Sequence, residues 1–482
     1  MKILSRKDLS LWIAFAIYAI ITGSLSWRHT MWRDELQLWL VGFKSSSFSD
    51  LIVNSSHDIH PMGYFIFTWI ISHVSPNPEI LKLTNWLLSL CMGWTVLFGL
   101  KLKNYLGILF IFGFIPLIGY SHIAEQYMLC TVLYLLLVKL YIGNQDKFYF
   151  YLVASVLANI HMLFFLASVS LIIGYTIKSI NSATTIRKFV TSNRRVFCWN
   201  IMYVSASIFA ISRISSSVSS SKISSSLSLI HVTKRALLVL AQACFPFFEF
   251  ATGVNTQQLV AFPIIILSST IFLYLFYCAL KQKITDGLPF VLSNFVLLLG
   301  MSVGYSSYWW HFGVLYLCIF GSIVGLTNAT STNLTNNHRL TAVTRILLLS
   351  QIIALFIGPR INMWERQPYS NAEKTAAYLK QNCDSSCTII MDYHSTGASI
   401  SGYLNGRDIF YVNINYFGSF TEWNRETRDV NWDLIISAAK KFPRTLIVTG
   451  ESPSPPASVR TLRVYSGAVW SDENFIVSEL AP

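Results

Sequence analysis

Apolar runs follow one another so closely through residues 1–358 that this stretch cannot be a soluble domain. They lie near 11–27, 83–100, 105–120, 127–143, 148–160, 162–177, 196–212, 259–280, 287–304, 311–327 and 340–358. A hydrocarbon core about 30 Å thick takes ~20 apolar residues in a helix, and most of these runs reach or approach that length. The run at 148–160 is the short one. The 482-residue chain is 53% hydrophobic and only 12% charged, where soluble domains carry about a quarter charged residues. The reading is a polytopic α-helical membrane protein with about eleven spans.

Charge divides the chain in two. Residues 1–358 hold 24 basic and 10 acidic groups, whereas 359–482 hold 12 and 13. The positive excess therefore belongs to loops flanking the membrane. No basic stripe with interleaved aromatics accompanies it, which argues against nucleic acid as a partner. Lys2, Arg6 and Lys7 precede the first run, which ends without a small-residue cleavage site, so it reads as an uncleaved span with a cytoplasmic N-terminus. Alternate loops are then basic: Lys101/Lys103, Lys147, Lys178 with Arg187, Lys188, Arg194 and Arg195, Lys281/Lys283, and Arg339. Arg213, Lys222, Lys234 and Arg235 fall on the opposite side. The majority pattern requires that the Pro-led, aromatic stretch 61–74 lie at the interface without crossing. It places the chain in the plasma or inner membrane with its C-terminal part outside the cytoplasm.

A long first outer loop, 28–82, follows from this topology. Trp32, Leu36, Trp39, Leu40 and Phe43 recur in it at helical spacing, with Asp34 roughly opposite. Such a helix either lies on the bilayer, apolar face down, or packs its stripe on other spans. Residues 213–235 carry three serine triplets and read as a flexible outer loop. Sequon matches at Asn328 and Asn333 fall on the cytoplasmic side, where they would not be glycosylated.

From 359 to 482 the composition is that of an ordinary globular domain. Helix-like 373–379 and 434–441 alternate with strand-like 388–392, 408–414, 445–448, 461–465 and 474–477, a small extracytoplasmic α/β domain. No Gly-rich phosphate loop opens a helix there. Cys383 and Cys387 suit a short-loop disulfide outside the cytoplasm better than a zinc site, since no second ligand pair follows. The other six cysteines sit in apolar runs as small hydrophobes.

Acidic residues are scarce in the membrane part, and most collect on its outer face: Asp34, Glu35, Asp50, Asp58 and Glu79 in the first outer loop, Glu125 in the next. His29, His57, His60 and His122 accompany them. A charge near lipid costs several kcal/mol unless it meets water, a partner or a substrate. The adjacent pair Asp34-Glu35 at the exit of the first span is thus either a solvated loop start or an active site. Carboxylates with imidazoles at a water–lipid boundary suit proton transfer on a polar acceptor. They also suit a hard divalent cation, so a metal cofactor stays open.

Trp32-Arg33-Asp34-Glu35 followed by Trp39-Leu40, then His60-Pro61 opening an aromatic stretch, resembles the GT-C superfamily. This superfamily comprises polyprenyl-phosphate-sugar glycosyltransferases: protein O-mannosyltransferases, aminoarabinose transferases and the rhizobial lipopolysaccharide glycosyltransferase-like group. The second proline of the family's His-Pro-Pro segment is Met62 here, and Glu125 stands where that family commonly has arginine. The resemblance covers roughly residues 10–180. It implies inverting transfer of a sugar from a polyprenyl-phosphate donor to a glycolipid, polysaccharide or protein acceptor on the outer membrane face. Asp34 would be the base, with Glu35 orienting the acceptor, binding a metal or serving structure. Arg28, Arg33, His57, His60 and Glu125 become candidates for the donor phosphate and substrate. His60 before a proline equally suits a helix cap. A transporter is the competing class, although the carboxylates cluster in an outer loop and no inverted repeat is visible. A lipid-linked glycan ligase or a non-catalytic assembly subunit is the third reading.

Overall fold

The computed structural model of the chain describes residues 6–100, 102–143, 147–180, 187, 191, 193–217, 228–249, 257–282, 284–304, 309–329, 338–357, 367–450 and 455–481. The first apolar run forms α1 (Arg6–Arg28), and the loop after it folds into α2 (Arg33–Phe43), α3 (Phe48–Ser55) and α4 (Met62–Val74). Then come α5 (Ile80–Trp94), α6 (Asn104–Ile111), α7 (Gln126–Gly143), α8 (Lys147–Ala158), α9 (Met162–Ser179) and α10 (Arg194–Ser217). The helical part closes with α11 (Leu229–Cys244), α12 (Gln257–Leu280), α13 (Ile284–Gly304), α14 (Trp309–Ala329) and α15 (His338–Ala354). Lipid offers a backbone amide no partner, so every apolar run must satisfy its own hydrogen bonds as a helix.

Among the described residues eight helices are long and apolar enough to cross a membrane, against about eleven expected. The difference has local causes. The run 105–120 is divided: α6 stops at Ile111, and a π-helical turn over Ile115–Gly119 follows, in which Tyr120 N–H reaches the Ile115 carbonyl at 3.0 Å. Pro116 inside that turn has no N–H to continue the α-helical ladder. The runs at 148–160 and 340–358 yield helices of only 12 and 17 residues, α8 and α15. Helix α4, at 13 residues, is as short as its interfacial reading requires.

Part of the segment expected to be a flexible loop is instead α11. Ser228 caps it, accepting the His231 N–H at 3.3 Å, and its second half from Val239 is buried against α13 and α14. Residues 218–227 and the Asn333 sequon lie outside the described residues. Two charged contacts bear on the loop pattern. Lys178 pairs with Asp286 at 3.2 Å, joining two residues expected at one membrane face. Arg213, an exception to the basic-loop pattern, donates to the Ile52 carbonyl and Ser55 hydroxyl at 3.0 Å each, holding the C-terminal end of α3.

The C-terminal domain contains α16 (Ala372–Asn382), β1 (Thr388–Met391), α17 (His394–Tyr403), β2 (Ile409–Tyr411), β3 (Tyr416–Gly418), α18 (Trp432–Ala439), β4 (Thr445–Thr449), β5 (Val459–Tyr465) and β6 (Phe475–Leu480). Its six strands are ordered β3-β2-β1-β4-β6-β5, with β1 parallel to both β2 and β4 and the remaining pairs antiparallel. Cys383 and Cys387 form a disulfide after α16. The Arg407 guanidinium braces that turn through the carbonyls of Cys383 and Asp384, at 2.6 and 2.7 Å.

Helix α2 joins the two parts. Its apolar stripe faces neither lipid nor the spans alone: Leu36, Trp39 and Leu40 are fully buried in one cluster with Ile389, Met391, Ala398 and Ile400 of the sheet domain. Trp39 stacks on Phe43 at 4.4 Å. A Cβ at Gly402 of α17 would meet the Leu36 side chain at 2.8 Å, so glycine there allows the two helices to approach. The junction is therefore a hydrophobic core built from both ends of the chain. Trp39→Ala should destabilise it by about 3–5 kcal/mol. The expected result is faster proteolytic release of the C-terminal domain from detergent-solubilised protein, with the spans still intact.

Candidate active site

The site forms where α2 begins. Glu35, at the third position of α2, turns back to accept the Trp32 N–H at 3.1 Å, the reciprocal half of a capping box. The same oxygen, Oε2, lies 2.6 Å from His29 Nε2 at the end of α1. Its Oε1 accepts the Ala124 N–H, in the segment before α7, at 2.5 Å. Three separate pieces of chain thus converge on one carboxylate with no solvent exposure. Both its oxygens accept from or face a donor, so Glu35 holds the site together.

Asp34 points the other way. Its side chain is 41% exposed, against 0% for Glu35, and this difference decides which carboxylate can reach a substrate. The surrounding crevice pushes the Asp34 carboxyl above its ordinary pKa, opposed by the charges of Arg33 and His60 and reinforced by Asp58.

Opposite Asp34 stands a carboxylate–imidazole pair. Asp58 Oδ1 lies 2.6 Å from His60 Nδ1 and also accepts the His60 backbone N–H at 3.1 Å. For Asp58, burial is outweighed by the His60 charge and hydrogen bonds, leaving the carboxyl below its ordinary value. For His60, burial is outweighed by Asp58 and by the more distant Asp34, so the imidazole is raised and its protonated form favoured. Gln37, one turn beyond Asp34 on α2, supports Asp58 Oδ2 at 3.4 Å. Its amide also bonds Thr421 of the sheet domain twice, at 2.8 and 2.7 Å.

The remaining candidates separate. Glu125 is buried and accepts the Trp32 indole N–H at 3.1 Å. Burial and the charges of Asp34 and Glu35 hold its carboxyl well above the ordinary range, which favours the neutral acid. Arg33 is turned to the C-terminal domain, its guanidinium paired with Asp472 and its backbone N–H donating to Glu473 at 3.3 Å. His57 faces Asn424 at 2.8 Å, and Arg28 is exposed at the last turn of α1. Asp34, Glu35, His60 and Glu125 are thus brought together, Arg33 bridges Asp34, at 3.4 Å from its Nε, to Asp472, and His57 is committed elsewhere. Among the described residues no group of three or more His, Cys, Asp or Glu is arranged to hold a metal ion.

Several contributors carried no sequence signal of their own. Trp470 stacks on Trp32 at 4.9 Å and 14°, and Tyr369 meets the same indole edge-on at 5.7 Å. Glu473, fully buried, accepts from Ser370 at 2.6 Å as well as from Arg33. These residues lie more than 330 positions from Trp32, and only the folded chain joins them.

No family model matches the sequence, and no curated protein matches it. Solved structures do. ArnT from Cupriavidus metallidurans, bound to undecaprenyl phosphate, aligns over 97% of each chain with a TM-score of 0.51 at 12% identity. The same protein in the apo state aligns over 98% of each chain, TM-score 0.53, at 11% identity. AglB from Archaeoglobus fulgidus, in complex with an inhibitory peptide and a dolichol-phosphate, aligns over 91% of this chain and 69% of its own, TM-score 0.43, at 8% identity. The likeness to ArnT runs through both the helical part and the sheet domain, so the chain has a GT-C fold.

Burial raises the Glu473 carboxyl to about 7 from an ordinary 4.5, with Asp472 adding to it and Ser370 and Arg33 opposing. A carboxyl whose folded-state value is raised favours the fold when protonated. Its contribution is complete below about 4.5 and is lost as pH rises through about 7. The junction between α2 and the sheet domain should therefore loosen with rising pH across that window. Glu473→Gln should flatten the dependence, as read by thermal unfolding at a series of pH values.

Proposed function

We propose that the chain is an integral-membrane inverting glycosyltransferase. It moves a sugar from a polyprenyl-phosphate donor to an acceptor hydroxyl or amine at the outer face of a cell membrane. The carrying observation is the asymmetry of Asp34 and Glu35, one part-exposed beside Arg33 and the other buried and tied to three donors, at the start of a helix whose Asp34 feels the charge of His60. The ArnT-like fold supports the donor class, since that relative's structure contains undecaprenyl phosphate. The Cys383–Cys387 disulfide supports an extracytoplasmic C-terminal domain, because such bonds persist in oxidising compartments.

The chemistry follows from the residues. The acceptor oxygen or nitrogen attacks the anomeric carbon on the face opposite the phosphate, and Asp34 takes the proton that it loses. The bond between the anomeric carbon and the phosphate oxygen breaks, and its electron pair leaves with the lipid phosphate. Attack and departure on opposite faces invert the configuration. The departing group is already an anion, so it needs cationic and N–H partners more than an acid. His60, held by Asp58 with its protonated form favoured, is one such partner whose charge acts on Asp34, and Arg33, with Nε 3.4 Å from Asp34, is another. Glu35 acts through position: it fixes the first turn of α2 and so the direction of Asp34.

Asp34→Asn should lower transfer from polyprenyl-phosphate sugars by about 100- to 10,000-fold while leaving the fold unchanged. The measurement is turnover by purified protein with a panel of such donors. Normal turnover by this variant would overturn the role of Asp34, and solute flux without sugar transfer by the wild type would make the chain a transporter.

A further inference from the structure

His161 is a buried histidine with one nitrogen unaccounted for. It caps α9: Nδ1 accepts the Leu163 N–H at 3.1 Å, which requires that nitrogen to be unprotonated and places the proton of the neutral ring on Nε2. That Nε2 has no hydrogen-bond partner among the described residues, although the side chain is only 1% exposed. Buried donors are almost always satisfied, so one left open points to a ligand.

What surrounds it identifies the ligand. The His161 ring lies 6.5 Å from His60 and 4.9 Å from Tyr127, whose other side faces His311 at 6.2 Å. The His60 approach is built into the backbone. Gly63 N–H donates to the Asn159 carbonyl at 2.7 Å, and a Cβ at Gly63 would meet that oxygen at 2.5 Å. Only glycine lets the start of α4 press against the turn before α9, and that contact carries His60 toward His161. Asp58, the acid nearest this pair, already spends its oxygens on His60 and Gln37. Two imidazoles 6.5 Å apart thus lie beside the N-terminus of an 18-residue helix, a set of donors. Such a set selects a group that only accepts. It also sits where a membrane-crossing helix begins, the depth of a lipid headgroup.

We propose that His161 Nε2, with His60 and the first turn of α9, forms the subsite for the phosphate of the lipid-linked substrate. This rests on the glycosyltransferase reading above. Arg33, paired with Asp472 and Asp34, is not counted in the subsite, which rests on histidines. The proposal also accounts for Met62 and Glu125, the two departures from the resembled pattern. Glu125 serves Trp32, and the His60 segment is aimed by Gly63, one residue beyond Met62.

The test is binding to the purified full-length chain of polyprenyl phosphate, the matching polyprenol and inorganic phosphate, for wild type, His161→Phe and His161→Gln. The wild type should bind polyprenyl phosphate. His161→Phe should weaken it about 10- to 100-fold, the loss of one hydrogen bond to a charged group. His161→Gln, which keeps an N–H, should recover part of the loss. The polyprenol should bind equally weakly to every variant, and competition by inorganic phosphate alone should be slight. Equal binding of polyprenyl phosphate by His161→Phe and wild type would overturn the subsite while leaving the transferase reading intact. So would a loss of polyprenol binding as large as that of the phosphate, which would mean a packing defect. Failure of the wild type to bind any polyprenyl phosphate would overturn both readings.

Discussion

The site depends on one buried carboxylate. Glu35 is the only side chain described here that ties the end of α1, the first turn of α2 and the segment before α7 at a single point. A buried carboxyl is costly unless it is hydrogen-bonded, and here an imidazole and two backbone N–H groups surround it. Removing the carboxylate would leave those donors buried and unpaired, so the penalty falls on all three segments together. This is why adjacent acids have opposite fates. One is consumed in holding the helix, and its neighbour, about 100° around the same helix, is left to face the crevice.

The second dependence is between the two ends of the chain. Helix α2 is apolar on the side that meets the sheet domain and polar where Gln37 and Asp34 face His60 and Asp58. The sheet domain is therefore part of the site's framework. Trp470, Asp472 and Glu473 close over Trp32 and Arg33 on one flank, and Thr421 holds Gln37 on the other.

What could be read beforehand follows from how local each signal is. The membrane class, most helices and the strands at 388–391, 409–411 and 445–449 were legible because periodicity and β-branched runs are properties of neighbouring residues. Helix α17 was not. His394–Tyr403 contains two glycines, four Ser/Thr residues and no strong apolar period, and it is helical because it packs on α2. The break after α6 shows the converse: apolar content continues through 105–120, but Pro116 and the glycines around it interrupt the ladder. For the site, Asp34, Glu35 and His60 were visible as scarce polar residues at a membrane exit. The resemblance already set Asp34 apart from Glu35, but the contacts that tie Glu35 were not visible, since they come from Ala124 and His29. His161 lies at the edge of an apolar run, and nothing local marks it as the histidine whose Nε2 is left without a hydrogen-bond partner among the described residues.

The clasp between Arg33 and Glu473 spans 440 positions, which sets an order of events during synthesis. The helix carrying Asp34 is made well before residue 473, yet the Arg33 N–H in its first turn acquires its carboxylate partner only when residue 473 has emerged. Until then Leu36, Trp39 and Leu40 lack the sheet surface that covers them. A ribosome-bound chain thus carries the reactive acid long before it carries the clasp and the covering surface, and assembly ties maturation of the first helices to completion of the last strand.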